Sequence, residues 1–305
     1  MKKILFDLIS LKSVQGTKYH GGAEYSRELL LELQKYNDSA EIYYLFDSEF
    51  EDIDERVKGS IPLEKVVFID NMEQIPKLLV DSSFDTFISG LPYRYRKLDF
   101  GKTECFFTIH GLRRIELPYD NTELRYAVNW RERVSFIVRR MIPRIYVKLK
   151  KKYFADFFEC SRNLKIIVVS EHTKYSILSN FKDITGDKLK VSYSFLVRAE
   201  TLEIHPEVKS IGKFYVMVST HRWGKNAYRA VMAFDKLFSL DRLEGKVVLL
   251  GMSEKIFRNF RVKNKDRFII RNYVERDQYE SYLKAAYALV YPTLNEGFGY
   301  PPMRR

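Results

Sequence analysis

Residues 296–303, Glu-Gly-Phe-Gly-Tyr-Pro-Pro-Met, follow the apolar run ALVYP at 288–292. An apolar run that meets an acid and two glycines reads as a strand turning into a helix. Pro301 suits the first turn of that helix, where a missing N–H costs nothing. Gly297 and Gly299 carry no Cβ, so the backbone of Gly297, Phe298 and Gly299 can approach a ligand closely. A helix opening there presents its positive end to an anion. Glu296 can accept hydrogen bonds from sugar hydroxyls. The same spacing also fits an ordinary βα turn in which Glu296 only caps the helix, since such turns are common.

A second chemical feature is cationic. Residues 131–152 hold nine Lys and Arg and one acid, Glu132, out of a formal net charge of +12 for the chain. After Pro143, Arg144, Lys148, Lys151 and Lys152 share one helical face, and Ile145, Leu149, Tyr153 and Phe157 another. Such a basic amphipathic helix suits contact with an anionic membrane face, or is an ordinary solvated surface helix. Residues 1–100 carry 13 basic and 18 acidic side chains, so the positive charge lies in the rest of the chain and points to a localised anionic partner. No nucleic-acid-binding module accompanies the charge, which argues against nucleic acid.

These residues need a scaffold, and the hydrophobic pattern specifies one. Strand-like runs occur at KKILFDLI (2–9), EIYYLF (41–46), KVVFI (65–69), FDTFIS (84–89), ECFFTI (104–109) and LKIIVVS (164–170). Several are apolar on both faces, as in parallel strands covered by helices on both sides. The helix AEYSRELLLELQKY follows the first of them. After a polar stretch around 200–213 the alternation restarts with FYVMVS, NAYRAVMAFDKLF, KVVLLG, RFIIR, QYESYLKAAY and ALVYP. The pattern predicts two α/β sheets, with domains at 1–205 and 206–305, the second short of strands for a doubly wound domain.

The length of 305 residues agrees with two domains. The two cysteines, Cys105 and Cys160, are far apart and lack metal-ligand spacing, which argues against a disulfide scaffold or zinc module and suits a reducing, cytoplasmic setting. No apolar run approaches a membrane span, and Asp7 breaks the opening run, which reads as a first strand rather than a signal peptide.

The segment PTLNEGFGYPPM resembles the signature of family 4 of the retaining glycosyltransferases, enzymes of the GT-B fold. Other segments resemble that family in the same order: GGAEYSREL (21–29), TIHGLRRIELPYD (108–120), VVSEHTKYSI (168–177), YVMVSTHRWGKN (215–226) and NYVERDQYESYLKAAYALVYP (272–292). The resemblance implies two Rossmann-like domains facing a cleft, the first on the acceptor side and the second binding the nucleotide-sugar. It implies that Gly21 and Gly22 place bare backbone beside donor phosphates or acceptor; by themselves they fit a flexible turn equally well. It implies that His110 contacts the transferred sugar, where a lone His is otherwise most often a structural hydrogen-bonder. Arg222 and Lys225 resemble the pair that neutralises the pyrophosphate, beside Asn226, and are otherwise two solvated cations at a helix start. Val274 matches a position whose backbone contacts the base, and Glu296 matches the first acid of the signature.

One position departs from the family. A second acid is expected eight residues after Glu296, and Arg304 stands there. The resemblance therefore implies a C-terminally truncated member with an incomplete second domain. The expected activity is hexosyl transfer from a nucleotide-sugar to an acceptor hydroxyl with retention, in bacterial-type surface polysaccharide or glycolipid assembly. It needs no cofactor and no metal, takes a saccharide or lipid-linked acceptor, and suits a peripheral position on the inner membrane face. The alternative is an inactive GT-B remnant that binds membrane or acceptor without turnover.

Overall fold

The computed structural model describes residues 1–12, 21–47, 55–195 and 203–303, which build two all-parallel sheets. The first sheet contains β1 (Lys2–Asp7), β2 (Ala40–Asp47), β3 (Val66–Ile69), β4 (Thr86–Ser89), β5 (Glu104–Ile109), β6 (Asn163–Val168) and β7 (Leu189–Val191). Their spatial order is β3-β2-β1-β4-β5-β6-β7. In register, Phe6 of β1 lies between Tyr44 of β2 and Ile88 of β4. The order reverses between β1 and β4, and such a switch point opens a crevice at the carboxyl ends of the two strands. The short strand β7, within KLKVSYSF, is absent from the sequence reading because only two of its three residues, Leu189 and Val191, are apolar, with Lys190 between them.

The second sheet contains β8 (Phe214–Met217), β9 (Lys246–Leu250), β10 (Phe268–Arg271) and β11 (Ala288–Leu289), in the order β10-β9-β8-β11. Its switch point lies between β8 and β11. Alternate residues of β8 and β9 serve opposite layers, which explains their unbroken apolar runs. Tyr215, Met217, Val247 and Leu249 pack with Val231, Phe238 and Phe257 on one side. Phe214, Val216, Val248 and Leu250 pack with Tyr282 and Leu283 on the other.

The longer helices are α1 (Gly21–Tyr36), α2 (Ile75–Asp81), α3 (Trp130–Met141), α4 (Pro143–Phe158), α5 (Glu171–Asn180), α6 (Ala227–Ser239) and α7 (Arg276–Ala285). Their starts are written in the sequence. Asn129 caps α3 by accepting the Glu132 N–H at 2.9 Å, and Ser170 caps α5 by accepting the Thr173 N–H at 3.2 Å. In the first core Phe87 meets Tyr95, Phe100 and Phe107, and Phe107 stacks on Phe157 of α4. Each such ring contributes roughly 1.5–3 kcal/mol by leaving water. Cys105 and Cys160 are buried and unpaired, and burial pushes both thiols up to about 12, so neither is a nucleophile at neutral pH.

Contacts divide the chain into two compact units: Met1–Leu112 with Lys148–Phe195, and Arg113–Val147 with Leu196–Arg305. The expected division at 205 differs from this at Arg113–Val147, which packs with the second sheet. Specific bonds hold it there. Arg229 grips Asp120 through both guanidinium amines at 3.1 and 3.0 Å. The Tyr228 N–H donates to the Tyr126 hydroxyl at 2.7 Å, and Asn259 donates to the Ala127 carbonyl at 3.0 Å. Periodicity along the chain carries no sign of such cross-links. No helix is long and apolar enough to cross a membrane among the described residues.

Candidate active site

In the second unit, the switch point brings together the loop after β8 and the loop after β11. The first loop runs from Ser219 to Asn226, with both end residues at positive φ, 52° and 59°. Asn takes this left-handed conformation more readily than most residues, and the turn it makes leads directly into α6. Thr220 ties the loop to β9 by donating its N–H and its hydroxyl to the Leu250 carbonyl, at 3.0 and 2.9 Å. The second loop docks on the first through the Gly224 carbonyl, which accepts the Leu294 N–H at 2.9 Å and the Thr293 hydroxyl at 3.2 Å. Asn226 adds a bond from its side-chain amide to the Pro292 carbonyl at 3.2 Å.

The two loops converge on Lys225 and Glu296. The Lys225 ammonium, 5% exposed as a residue, donates to Glu296 Oε1 and to the Tyr291 hydroxyl at 2.5 Å. It also lies 4.5 Å from the centre of the Tyr291 ring. Thr293 donates to the same Glu296 oxygen at 2.8 Å. Burial pulls the Lys225 ammonium below the usual lysine range; Glu296 opposes this, while the nearby cations Arg222 and Arg113 add to it. Burial pushes the Glu296 carboxyl up, but the Lys225 and Thr293 hydrogen bonds and the two cations Lys225 and Arg222 outweigh it. The carboxyl is held below its ordinary range and is ionised at neutral pH. Burial and Glu296 together push the Tyr291 hydroxyl up, so it remains protonated.

Arg222 stands exposed on the same loop. Gly299 has φ of 91°, a conformation open chiefly to glycine, just before the short helix Tyr300–Met303 that contains Pro301. The Phe298 and Tyr300 rings meet edge to face at 5.3 Å between centres. Val274 is half-buried against the layer of Phe214, Val216 and Val218, which fixes the loop after β10. Arg304 lies outside the described residues.

The remaining predicted residues belong to the first unit. Gly21 and Gly22 are the first two residues of α1 rather than part of a separate turn. A Cβ on Gly22 would meet the Leu91 side chain at 2.6 Å, and one on Gly90 would meet Ser26 Oγ at 2.1 Å, so the helix start and the loop after β4 press on each other through glycine. His110 closes on the same loop. Its Nε2 donates to the Gly90 carbonyl at 2.8 Å, and its ring meets Tyr25 edge-on at 5.0 Å. Beneath them, at the switch point, Asp7 is fully buried and accepts from the Ser89 hydroxyl at 2.5 Å. Burial pushes the Asp7 carboxyl up although the Ser89 hydroxyl and the Ser10 N–H both donate to it.

The apolar face expected on α4 splits in two: Phe157 is buried and Tyr153 half-buried, whereas Ile145 and Leu149 are exposed. The side chains of Arg144, Lys148 and Lys152 are exposed, and that of Lys151 partly so.

Several residues at the two switch points escape a reading by motif. Arg113 lies over Gly224, where an added Cβ would meet its Cδ at 3.7 Å. Asn295 donates to Glu116 at 2.7 Å, Tyr291 and Thr293 hold the ion pair, and Asp7 sits below Gly90. Arg113 and Tyr291 fall inside the segments that resemble the family, but their types alone give no hint of a role. Among the described residues no three His, Cys, Asp or Glu side chains gather as a metal-binding group.

In chemical terms, the second switch point combines an ionised carboxylate, a buried ammonium, two arginines and a helix N-terminus. That set can hold an oxygen-rich anion and a neighbouring hydroxyl.

Comparison with known proteins adds the fold. The sequence matches no protein-family model and no curated protein. Among solved structures, the chain is similar to sucrose-phosphate synthase from Thermosynechococcus elongatus, with 11% identity, a TM-score of 0.58, and coverage of 98% of this chain and 77% of that one. It is similar to WaaG, a glycosyltransferase involved in lipopolysaccharide biosynthesis, with 9% identity, a TM-score of 0.53, and coverage of 96% and 76%. It is also similar to a glycosyltransferase from Rickettsia africae ESF-5, with 13% identity, a TM-score of 0.51, and coverage of 98% and 75%. At these identities the likeness establishes the architecture: an α/β protein of the GT-B glycosyltransferase fold, with two Rossmann-like sheets.

Proposed function

We propose that the protein transfers a hexosyl group from a nucleotide-sugar to an acceptor hydroxyl, as a family 4 retaining glycosyltransferase in surface polysaccharide or glycolipid assembly. One observation carries the reading: Lys225, Arg222 and Glu296 converge at the switch point of the second sheet, where parallel α/β sheets take their ligands. Two of the three Lys225 N–H groups are engaged by Glu296 and Tyr291, which leaves the third for a phosphate oxygen. Arg222 adds a forked donor, and Arg113 a further positive charge. As the glycosidic bond breaks, negative charge grows on the leaving diphosphate, and these fixed cations stabilise it without a metal ion.

Glu296 receives both Lys225 and Thr293 on Oε1, so Oε2 is the acceptor for a hydroxyl of the transferred sugar. The backbone of Gly297, Phe298 and Gly299 holds sugar and phosphate, and that of Val274 the base. His110, with Nε2 held by the Gly90 carbonyl, serves as a sugar contact, and Gly21 and Gly22 offer bare backbone to donor phosphates or acceptor. Attack comes from the acceptor on the donor's front face, so no side chain serves as a nucleophile. The acceptor is a saccharide or lipid-linked, and Arg144, Lys148, Lys151 and Lys152 contact an anionic membrane on its cytoplasmic side.

Incubation with UDP-, GDP- and dTDP-sugars, with nucleotide release measured in the presence and absence of EDTA, tests this reading. Release from one donor, unaffected by EDTA, is expected. No release from any donor, together with no nucleotide binding by calorimetry, would overturn it.

A further inference from the structure

Helix α3 is amphipathic in the wrong direction for a helix that packs on a core. None of its 12 residues is buried. Trp130, Val134, Ile137, Val138 and Met141 recur at the spacing of one helical face, and all five are exposed, Trp130 by 69% and Met141 by 76%. The polar side turns inward instead. Arg139 donates to the buried carboxylate of Glu123 at 2.5 Å, and the Glu132 carboxylate accepts the Val128 N–H at 2.8 Å. An apolar stripe facing water while one ion pair and one hydrogen-bonded carboxylate face the protein is the pattern of a surface made for a nonaqueous partner.

The charges around the stripe identify the partner. At 100° per residue, Arg131 lies on one flank of the apolar face, and Arg133 and Arg140 lie on the other. All three are exposed, whereas the one acid of the helix, Glu132, is committed to Val128 on the far side. The arc is a row of aliphatic side chains with a tryptophan at one end and cations along both edges. It matches the layering of an anionic bilayer surface, with acyl chains beneath and phosphates to either side. A second copy of the chain docked face to face would instead set these arginines against each other.

We propose that α3 is a membrane-insertion element: Trp130, Val134, Ile137, Val138 and Met141 enter the headgroup–acyl boundary of an anionic bilayer, and Arg131, Arg133 and Arg140 bind lipid phosphates. The proposal rests on the membrane contact in the functional reading above and moves its anchor. Attraction through the α4 lysines alone falls steeply with salt, whereas the apolar contribution of inserted side chains does not.

The test is sedimentation with vesicles of phosphatidylcholine alone and of phosphatidylcholine with phosphatidylglycerol, at low and high salt. The unaltered protein is expected to bind the anionic vesicles, to keep part of that binding at high salt, and to show a blue shift of tryptophan emission that vanishes in Trp130→Phe. The triple variant Val134→Gln, Ile137→Gln, Met141→Gln should bind at least about tenfold more weakly. All three positions are exposed, and an unchanged circular-dichroism melt verifies the fold. Undiminished binding by this variant, with loss in Lys148→Gln, Lys151→Gln, Lys152→Gln, would overturn insertion and leave the electrostatic contact standing. Absence of binding by the unaltered protein to either vesicle would overturn both. A dimer in light scattering that the triple variant abolishes, without vesicle binding, would assign the stripe to self-association and overturn the proposal.

Discussion

Lys225 and Glu296 form an ion pair across 71 residues of sequence, joining the loop after β8 to the loop after β11 before any ligand arrives. The pair is covered by Tyr291 and steadied by Thr293, so neither side chain must search for its place when a ligand binds. If the two loops hold a nucleoside diphosphate, Lys225→Ala should weaken UDP or GDP binding by about 1.5–3 kcal/mol, the range for a hydrogen bond to a charged group. Calorimetric titration of the variant beside the parent measures this, and equal affinities would remove Lys225 from the site.

The same pair has a pH signature. The Glu296 carboxyl is held below its ordinary value of 4.5 in the folded protein. Its contribution to stability is therefore complete above that value and is lost as the pH falls through the lower, folded one. Melting curves of the parent and of Glu296→Gln should differ by a constant amount near neutrality and converge in acid. A difference that grows on acidification would contradict the direction of the shift.

Asp7 predicts the opposite slope. Burial raises its carboxyl above the ordinary 3.8, so the folded state binds the proton more tightly than the unfolded chain. Stability from this group is complete below the unfolded value and declines as the pH rises through the folded one. Asp7→Asn, which keeps the shape, should lose ground to the parent in acid and gain on it as the pH rises. Urea titrations at several pH values give the difference directly, and a flat profile would show that Asp7 does not titrate in this range.

Gly90 is a packing constraint of the first switch point. An added Cβ lies 2.1 Å from Ser26 Oγ and 2.8 Å from Ser26 Cβ, too close for either to remain in place. Gly90→Ala should cost about 1–3 kcal/mol of stability, in the range of overpacked cores. Ser26→Ala removes the nearer atom and should recover part of the loss, read as a coupling energy in a double-mutant cycle. Additive effects of the two changes would show that the loop moves away instead.

The alternation of apolar runs and amphipathic helices in the sequence was enough for two parallel α/β layers, because a strand buried on both faces has no other stable setting. The turn at Gly297–Gly299 and the helix start at Pro301 were equally local, since φ preferences act on single residues. Three things depended on tertiary structure. Asp120, Tyr126 and Ala127 attach Arg113–Val147 to the second sheet through hydrogen bonds to Arg229, Tyr228 and Asn259, and no periodicity encodes a partner more than a hundred residues away. The pairing of Lys225 with Glu296 arises because strand order places β8 beside β11, although β9 and β10 intervene in the chain. The outward turn of the apolar face of α3 is the clearest case: a helical wheel shows that such a face exists, and only the Arg139–Glu123 ion pair and the hydrogen bond from the Val128 N–H to Glu132 on the inner side decide that it points to solvent.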